Sequence, residues 1–212
     1  MKKKRKLSKK KITKFIILIV VIVALCVGVF FAAKTFLGGK KEKEVKVVDN
    51  IEKYGYTLDE NETKYYKSLF EDLKKVLNAN EVDEEKYASL VSQLFLTDFF
   101  NLENKLSKND VGGLQFVYTD FQGDFQNYAK DGVYQYLEND TYDDRKQELP
   151  KVSAVDIVNV EQSTFEYLDQ ADEKAYVVEA KISYEEDMGY QSTATLTLIH
   201  RDHKLEIAKM SK

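Results

Sequence analysis

The 212 residues carry 32 Lys+Arg, 36 Asp+Glu and 2 His, a formal net charge of −4. Hydrophobic residues make up 43% of the chain and aromatics 12%, enough to bury a core, so wholesale disorder is excluded. A single cysteine excludes an internal disulfide framework and a cysteine-based zinc module, and one proline excludes a Pro-rich or collagen-like chain.

The small net charge conceals a division. Nine basic residues and no acidic ones fall within positions 1–14. From position 15 onward, 23 basic residues face 36 acidic ones. Between these regions, residues 15–33 read FIILIVVIVALCVGVFFAA without a charge. At about 1.5 Å per residue such a helix matches the hydrocarbon thickness of a bilayer. The positive-inside rule then keeps residues 1–14 in the cytoplasm and sends the C-terminal part across. A cleaved signal peptide is the rival reading, but Phe31 precedes Ala32-Ala33 where a small residue is wanted, and the apolar run is long. Lipoprotein processing at Cys26 fits poorly because Leu25 precedes it; Cys26 reads as an apolar filler. The expectation is a single-pass protein of the cell membrane, anchored in the lipid bilayer through residues 15–33, with an extracellular C-terminal domain.

Gly38-Gly39 and the following Lys/Glu run predict a polar stalk over 34–54, and the domain proper is expected over 55–212. From Val47 on, 18 basic residues face 34 acidic ones, which argues against nucleic acid or an anionic lipid surface as partner. Apolar residues at three- and four-residue spacing (Tyr66, Leu69, Phe70, Leu73, Val76, Leu77) predict a first helix, preceded by a capping signal at residues 59–62 and ended by Asn78-Ala79-Asn80. Asp83 is placed to cap a second helix carrying Tyr87, Leu90, Val91, Leu94, Phe95 and Phe99. After Gly112-Gly113, a third helix is expected to carry Leu114, Val117, Phe121, Phe125 and Tyr128, with Gly132 interrupting it. Residues 133–137 read as a last turn or a short strand.

Beyond the acidic loop 139–150 the period changes to two. Strands are predicted over 153–167, 175–184, 190–200 and 204–210, with turns at 172–174, 187–189 and 201–202. Short connections favour an antiparallel meander. The fold class is therefore α+β: after the membrane helix, about three helices packed on one face of a curved four-stranded antiparallel sheet.

This order of elements resembles the cone-shaped nuclear-transport-factor-2-like, or cystatin-like, fold. The basic tail, single span and external domain resemble the bitopic assembly subunits of type IV secretion and conjugation machines. The run Phe99-Phe100-Asn101-Leu102, through Asn104-Lys105, to residues 110–118 (DVGGLQFVY) is similar to small membrane-anchored proteins of Lys-rich, Gram-positive type. The cone fold implies a pocket between helices and sheet, which Tyr128, Tyr134, Tyr136, Tyr176 and Tyr184 are candidates to line, suiting a small ligand or peptide. Pocket enzymes of that superfold, resembling ketosteroid isomerase, need a carboxylate or histidine base; Asp98 is the acid to nominate, against the plainer alternative of pairing with backbone or Lys105.

The remaining motifs are weak. His200-Arg201-Asp202-His203 could offer metal ligands but reads better as a solvated hairpin tip. The acidic groups Asp140/Asp143/Asp144 and Glu185/Glu186/Asp187 lack calcium-loop spacing. Gly112-Gly113 is not followed by the Lys-Ser/Thr of a phosphate loop, and reads as a cap and joint. Neither a metal nor a cofactor is expected. The functional expectation is a membrane-tethered, non-enzymatic interaction module with a protein partner outside the membrane; a ligand sensor using the tyrosines is the alternative, and a pocket enzyme ranks last.

Overall fold

The computed structural model describes residues 43–212, which form one compact unit. The expected basic tail and membrane helix lie outside the described residues. Among those described, no helix is long and apolar enough to cross a membrane.

The unit is α+β. Strand β1 (Val47–Ile51) pairs antiparallel with β2 (Tyr56–Asp59) through a 3-10 turn closed by Gly55 at φ 69°. The described part of the expected stalk is thus no simple linker. Alternation brings Ile51, Tyr54, Tyr56 and Leu58 into the core while their neighbours stay wet. Helix α1 (Lys64–Leu77) buries all six residues of its apolar stripe. Its cap is Thr63, whose hydroxyl accepts from the Tyr66 N–H at 3.1 Å, rather than a residue of the 59–62 acidic group.

Helix α2 (Glu84–Phe100) is capped by Asp83, as the sequence indicates. It differs from an amphipathic surface helix: Ala88, Ser92, Leu96, Thr97, Asp98 and Phe100 are buried along with the predicted stripe. The helix lies between α1 and the sheet and touches both, so nearly every side of its second half is covered.

The third helix starts later than its apolar spacing suggests. Residues Leu114–Phe116 and Thr119–Phe121 are single 3-10 turns, and α3 spans Gln122–Asp131. Extended backbone at Val117 separates them, because Val117 bridges to Ile207 and the Tyr118 N–H donates to the Ile207 carbonyl at 2.9 Å. Residues 133–137 are turns, not a strand.

The second sheet is a meander in the order β3 (Val152–Tyr167), β4 (Gln170–Tyr184), β5 (Thr193–Arg201) and β6 (Lys204–Ser211). Every neighbour pair is antiparallel, and β3–β4 is the longest. Its turn is Leu168-Asp169, with Leu168 at φ 51°; the predicted turn residues 172–174 lie inside β4. Asp172 is held there because its carboxylate accepts from the His200 N–H at 2.7 Å.

The two edges of this sheet are treated differently. The β6 edge is covered by residues 117–119, where Thr119 binds the buried Glu206 carboxylate through its N–H (3.1 Å) and hydroxyl (2.8 Å). The β3 edge is satisfied only near its start. Asn101 accepts from the Val152 N–H, the Tyr65 hydroxyl exchanges bonds with Val155 N–H and C=O, and Gln93 donates to the same carbonyl.

Candidate functional site

Asp98 sits on the last turn of α2, buried by the chain that follows it. Lys105, reached after the 3-10 turn Leu102–Asn104, is equally buried, and its ammonium pairs with Asp98 Oδ1. The other carboxylate oxygen, Oδ2, accepts from the Gly113 N–H at 2.6 Å. Both oxygens of Asp98 are therefore engaged, and the plainer reading of this residue, a helix-end acid paired with backbone and Lys105, describes its geometry.

Gly112 and Gly113 owe their identity to this packing. A Cβ on Gly112 would fall 2.6 Å from Asp98 Oδ1 and closer still to the Asp98 carbonyl. Gly113, at φ 76°, would place one 2.6 Å from Phe95 Cδ2. The pair lets the chain press against α2, which is close approach rather than a joint or a phosphate cradle. The Gly112 N–H donates to the Tyr134 hydroxyl at 3.0 Å, and that hydroxyl donates to the Phe99 carbonyl at 2.8 Å.

A polar hollow of about 200 Å³ opens beside the ion pair, lined by Asp59, Glu62, Asp98, Lys105, Asp110 and Gln115 among others. Burial, reinforced by the negative charge of Asp98, raises the Glu62 carboxyl to about 8, so it holds its proton at neutral pH. Asp59 is raised by burial and by Asp98 in the same direction. Burial works against a charged Lys105, but the adjacent Asp98 carboxylate outweighs it and holds the ammonium protonated. Gln115 closes the hollow by bonding to Thr57 backbone on both its amide atoms and to the Tyr66 hydroxyl. Chemically, this is a compensated ion pair with one neutral acid beside it.

The five candidate tyrosines are not brought together. Tyr128 and Tyr136 are about four-fifths exposed, at 79% and 80%, whereas Tyr134 is wholly buried. Tyr128 lies on the solvent side of α3, and Tyr136 is in a turn beyond it. Tyr176 is buried with its hydroxyl between Gln162 (2.8 Å) and Glu84 (3.4 Å), and Tyr184 donates to the Gln191 carbonyl. The aromatics inside the core are instead Tyr54, Tyr56, Tyr66 and Tyr87 from the first half of the unit. Tyr56 and Tyr87 share a 2.7 Å hydroxyl contact and bind the backbone of Leu205, stitching hairpin and helix to β6.

His200 stands between two carboxylates, Nδ1 at 2.9 Å from Asp172 and Nε2 at 3.5 Å from Glu84. Its two nitrogens face different acids, while His203 lies in the β5–β6 turn with its ring 5.9 Å from that of Tyr54. Among the described residues no group of three or more His, Cys, Asp or Glu is placed to hold a metal ion. Of the acidic loops, Asp140 and Asp143 take the ammonium of Lys43. Asp140 Oδ1 also accepts from the Arg145 N–H, while the Arg145 guanidinium donates to the Glu103 and Lys105 carbonyls.

Glu62, Asp59 and Gln115 escape a reading by sequence. Glu62 has a weak signal, since an acid just before a helix reads as a cap; its burial depends on the return of 104–115, which no periodicity announces. No family model matches the chain, and neither a curated protein nor a solved structure is similar to it at a significant level.

Proposed function

We propose that the chain is a membrane-tethered, non-enzymatic interaction module whose α+β domain faces the exterior and meets a protein partner through the far part of the β3–β4 hairpin. The observation that carries this reading is the outer edge of β3. Among the described residues, no hydrogen bond from another element reaches that edge from Asp156 to Tyr167, and Val158 and Leu168 are 67% and 69% exposed. An unpaired strand edge offers a ready-made row of donors and acceptors to another chain. The ion pair of Asp98 supports the same reading, because its engaged carboxylate works as a staple between α2 and the 105–113 segment. The uncharged run 15–33 behind nine basic residues supports the tether and its direction.

Two measurements test this. Protease added to whole cells should remove residues 43–212, and protection in whole cells with loss after lysis would overturn the topology. A photo-crosslinking residue at Val158 should capture one defined protein, whereas one at the exposed Glu71 of α1 should not. Equal capture from both positions, or none from Val158, would overturn the binding surface.

A further inference from the structure

We infer that the β3 edge over residues 159–163 receives an extended segment of a protein partner, bearing lysine or arginine side chains, as an added fifth strand. This rests on the proposed reading of the chain as an interaction module and names the partner's chemistry.

Three features lead there. The first is backbone geometry. Register shifts fall at Ile157/Asn159 and at Ser163/Phe165, and between them Asn159, Val160, Glu161, Gln162 and Ser163 pair without interruption with Glu179 through Ala175. Bulges increase local twist and end regular pairing, so they delimit a straight ladder of about 17 Å at 3.3–3.4 Å per residue. An added strand has a defined place and length there.

The second is which edge is open. Side chains of α1 and α2, with Asn101 just beyond α2, occupy the edge up to Val155, and residues 117–119 occupy the opposite edge of the sheet. Beyond Val155 no hydrogen bond from another element reaches the outer backbone edge of β3 among the described residues, while the rings of Phe165 and Tyr167 pack toward Tyr118.

The third is charge. The segment Val152–Tyr167 carries Asp156, Glu161 and Glu166 and no Lys or Arg. Asp156 has Lys181 across the ladder, but Glu161 and Glu166 face Val177 and Ala171, and neither makes an ion pair among the described residues. A second copy of this chain added edge to edge would set acid against acid, which disfavours self-pairing. The whole unit reinforces the sign, with 20 Lys+Arg against 35 Asp+Glu over residues 43–212. The side chains that complement this edge are basic, and the field that surrounds it steers basic segments toward it.

The test uses the full chain in nanodiscs and three synthetic heptapeptides: alternating valine and lysine, the same peptide with a central proline, and alternating valine and glutamate. The valine–lysine peptide should slow hydrogen exchange of the amides at 159–163. The proline version, with equal charge but a broken ladder, should protect them far less, and the glutamate version should not bind. Glu161→Lys with Glu166→Lys, both at exposed positions, should weaken the valine–lysine peptide roughly tenfold. Equal binding of the proline peptide, protection elsewhere in the domain, or unchanged affinity of the charge-reversed chain would each overturn the inference. If the Val158 crosslink still captures a protein in cells after such a result, the interaction module stands and only the strand-addition mode falls. If that crosslink is also absent, both fall.

Discussion

Replacing Glu62 with Gln offers a direct reading of the buried charge centre, because the amide mimics the neutral acid and removes only its titration. The folded protein holds the Glu62 proton up to about 8, against an ordinary 4.5, with burial the larger cause and Asp98 the next. A group whose folded value is raised stabilises the fold fully below its unfolded value and loses that contribution as pH climbs toward the folded one. At 1.36 kcal/mol for each tenfold change in proton activity, the wild-type chain should lose on the order of 1 kcal/mol by pH 5 and about 3 by pH 7. Glu62→Gln escapes this loss. Its stability relative to wild type should therefore rise by about 2–3 kcal/mol between pH 5 and pH 7 and level off above pH 8. Urea unfolding of residues 43–212, followed by far-UV circular dichroism at several pH values, reads the difference directly. A difference that stays flat from pH 5 to pH 8 would refute the reasoning, since it would mean that Glu62 is ionised and solvated in the folded state.

Lys105→Met should cost about 3–5 kcal/mol, because it strands the Asp98 carboxylate in a buried site, and adding Asp98→Asn should recover much of that loss; additive losses in the same unfolding assay would show that the two charges are uncoupled. Gly113→Ala should destabilise by at least about 2 kcal/mol through its left-handed backbone and the clash with Phe95. Gly123→Ala, in α3 with open space around it, should be neutral or slightly stabilising, and thermal melts of the two variants check the contrast.

The sheet is the most legible part of this sequence. Tyr176, Val178, Ala180 and Ile182 alternate because one face of β4 rests on the helices, and all four are buried. The first turn of the meander is less legible for a physical reason. Asp172-Glu173-Lys174 has turn composition, yet Asp172 serves as an acceptor for β5, while Leu168, an unusual residue for positive φ, makes the bend. Composition reports solvent exposure, and both segments are wet. Helix α1 is plain from its stripe, whereas the late start of α3 depends on Val117 meeting Ile207, a contact ninety positions away. Likewise β1 hides in a Lys- and Glu-rich context, since Val47 and Val48 point to water and only Ile51 is buried. At the buried centre, Asp98 and its Lys105 partner can be picked out from helix position and spacing. Glu62 becomes part of it only through tertiary closure, and the tyrosines mislead because a ring on an apolar stripe has the same pattern whether it fills a core, as Tyr134 does, or stands in water, as Tyr128 does.

The stitching of Tyr56 and Tyr87 to Leu205 has a consequence for how the domain assembles. Within the meander each strand meets the next one in sequence, so those closures are short and entropically cheap. The hairpin and helical layer, by contrast, take their buried hydroxyl partners from β6, across 118 positions between Tyr87 and Leu205 and 149 between Tyr56 and Leu205. A chain synthesised from its N-terminus completes its helices long before their anchoring strand is made. Until β6 emerges, the Tyr56 and Tyr87 rings wait unsealed, and the interval of synthesis becomes the interval in which this domain depends on chaperones or on speed.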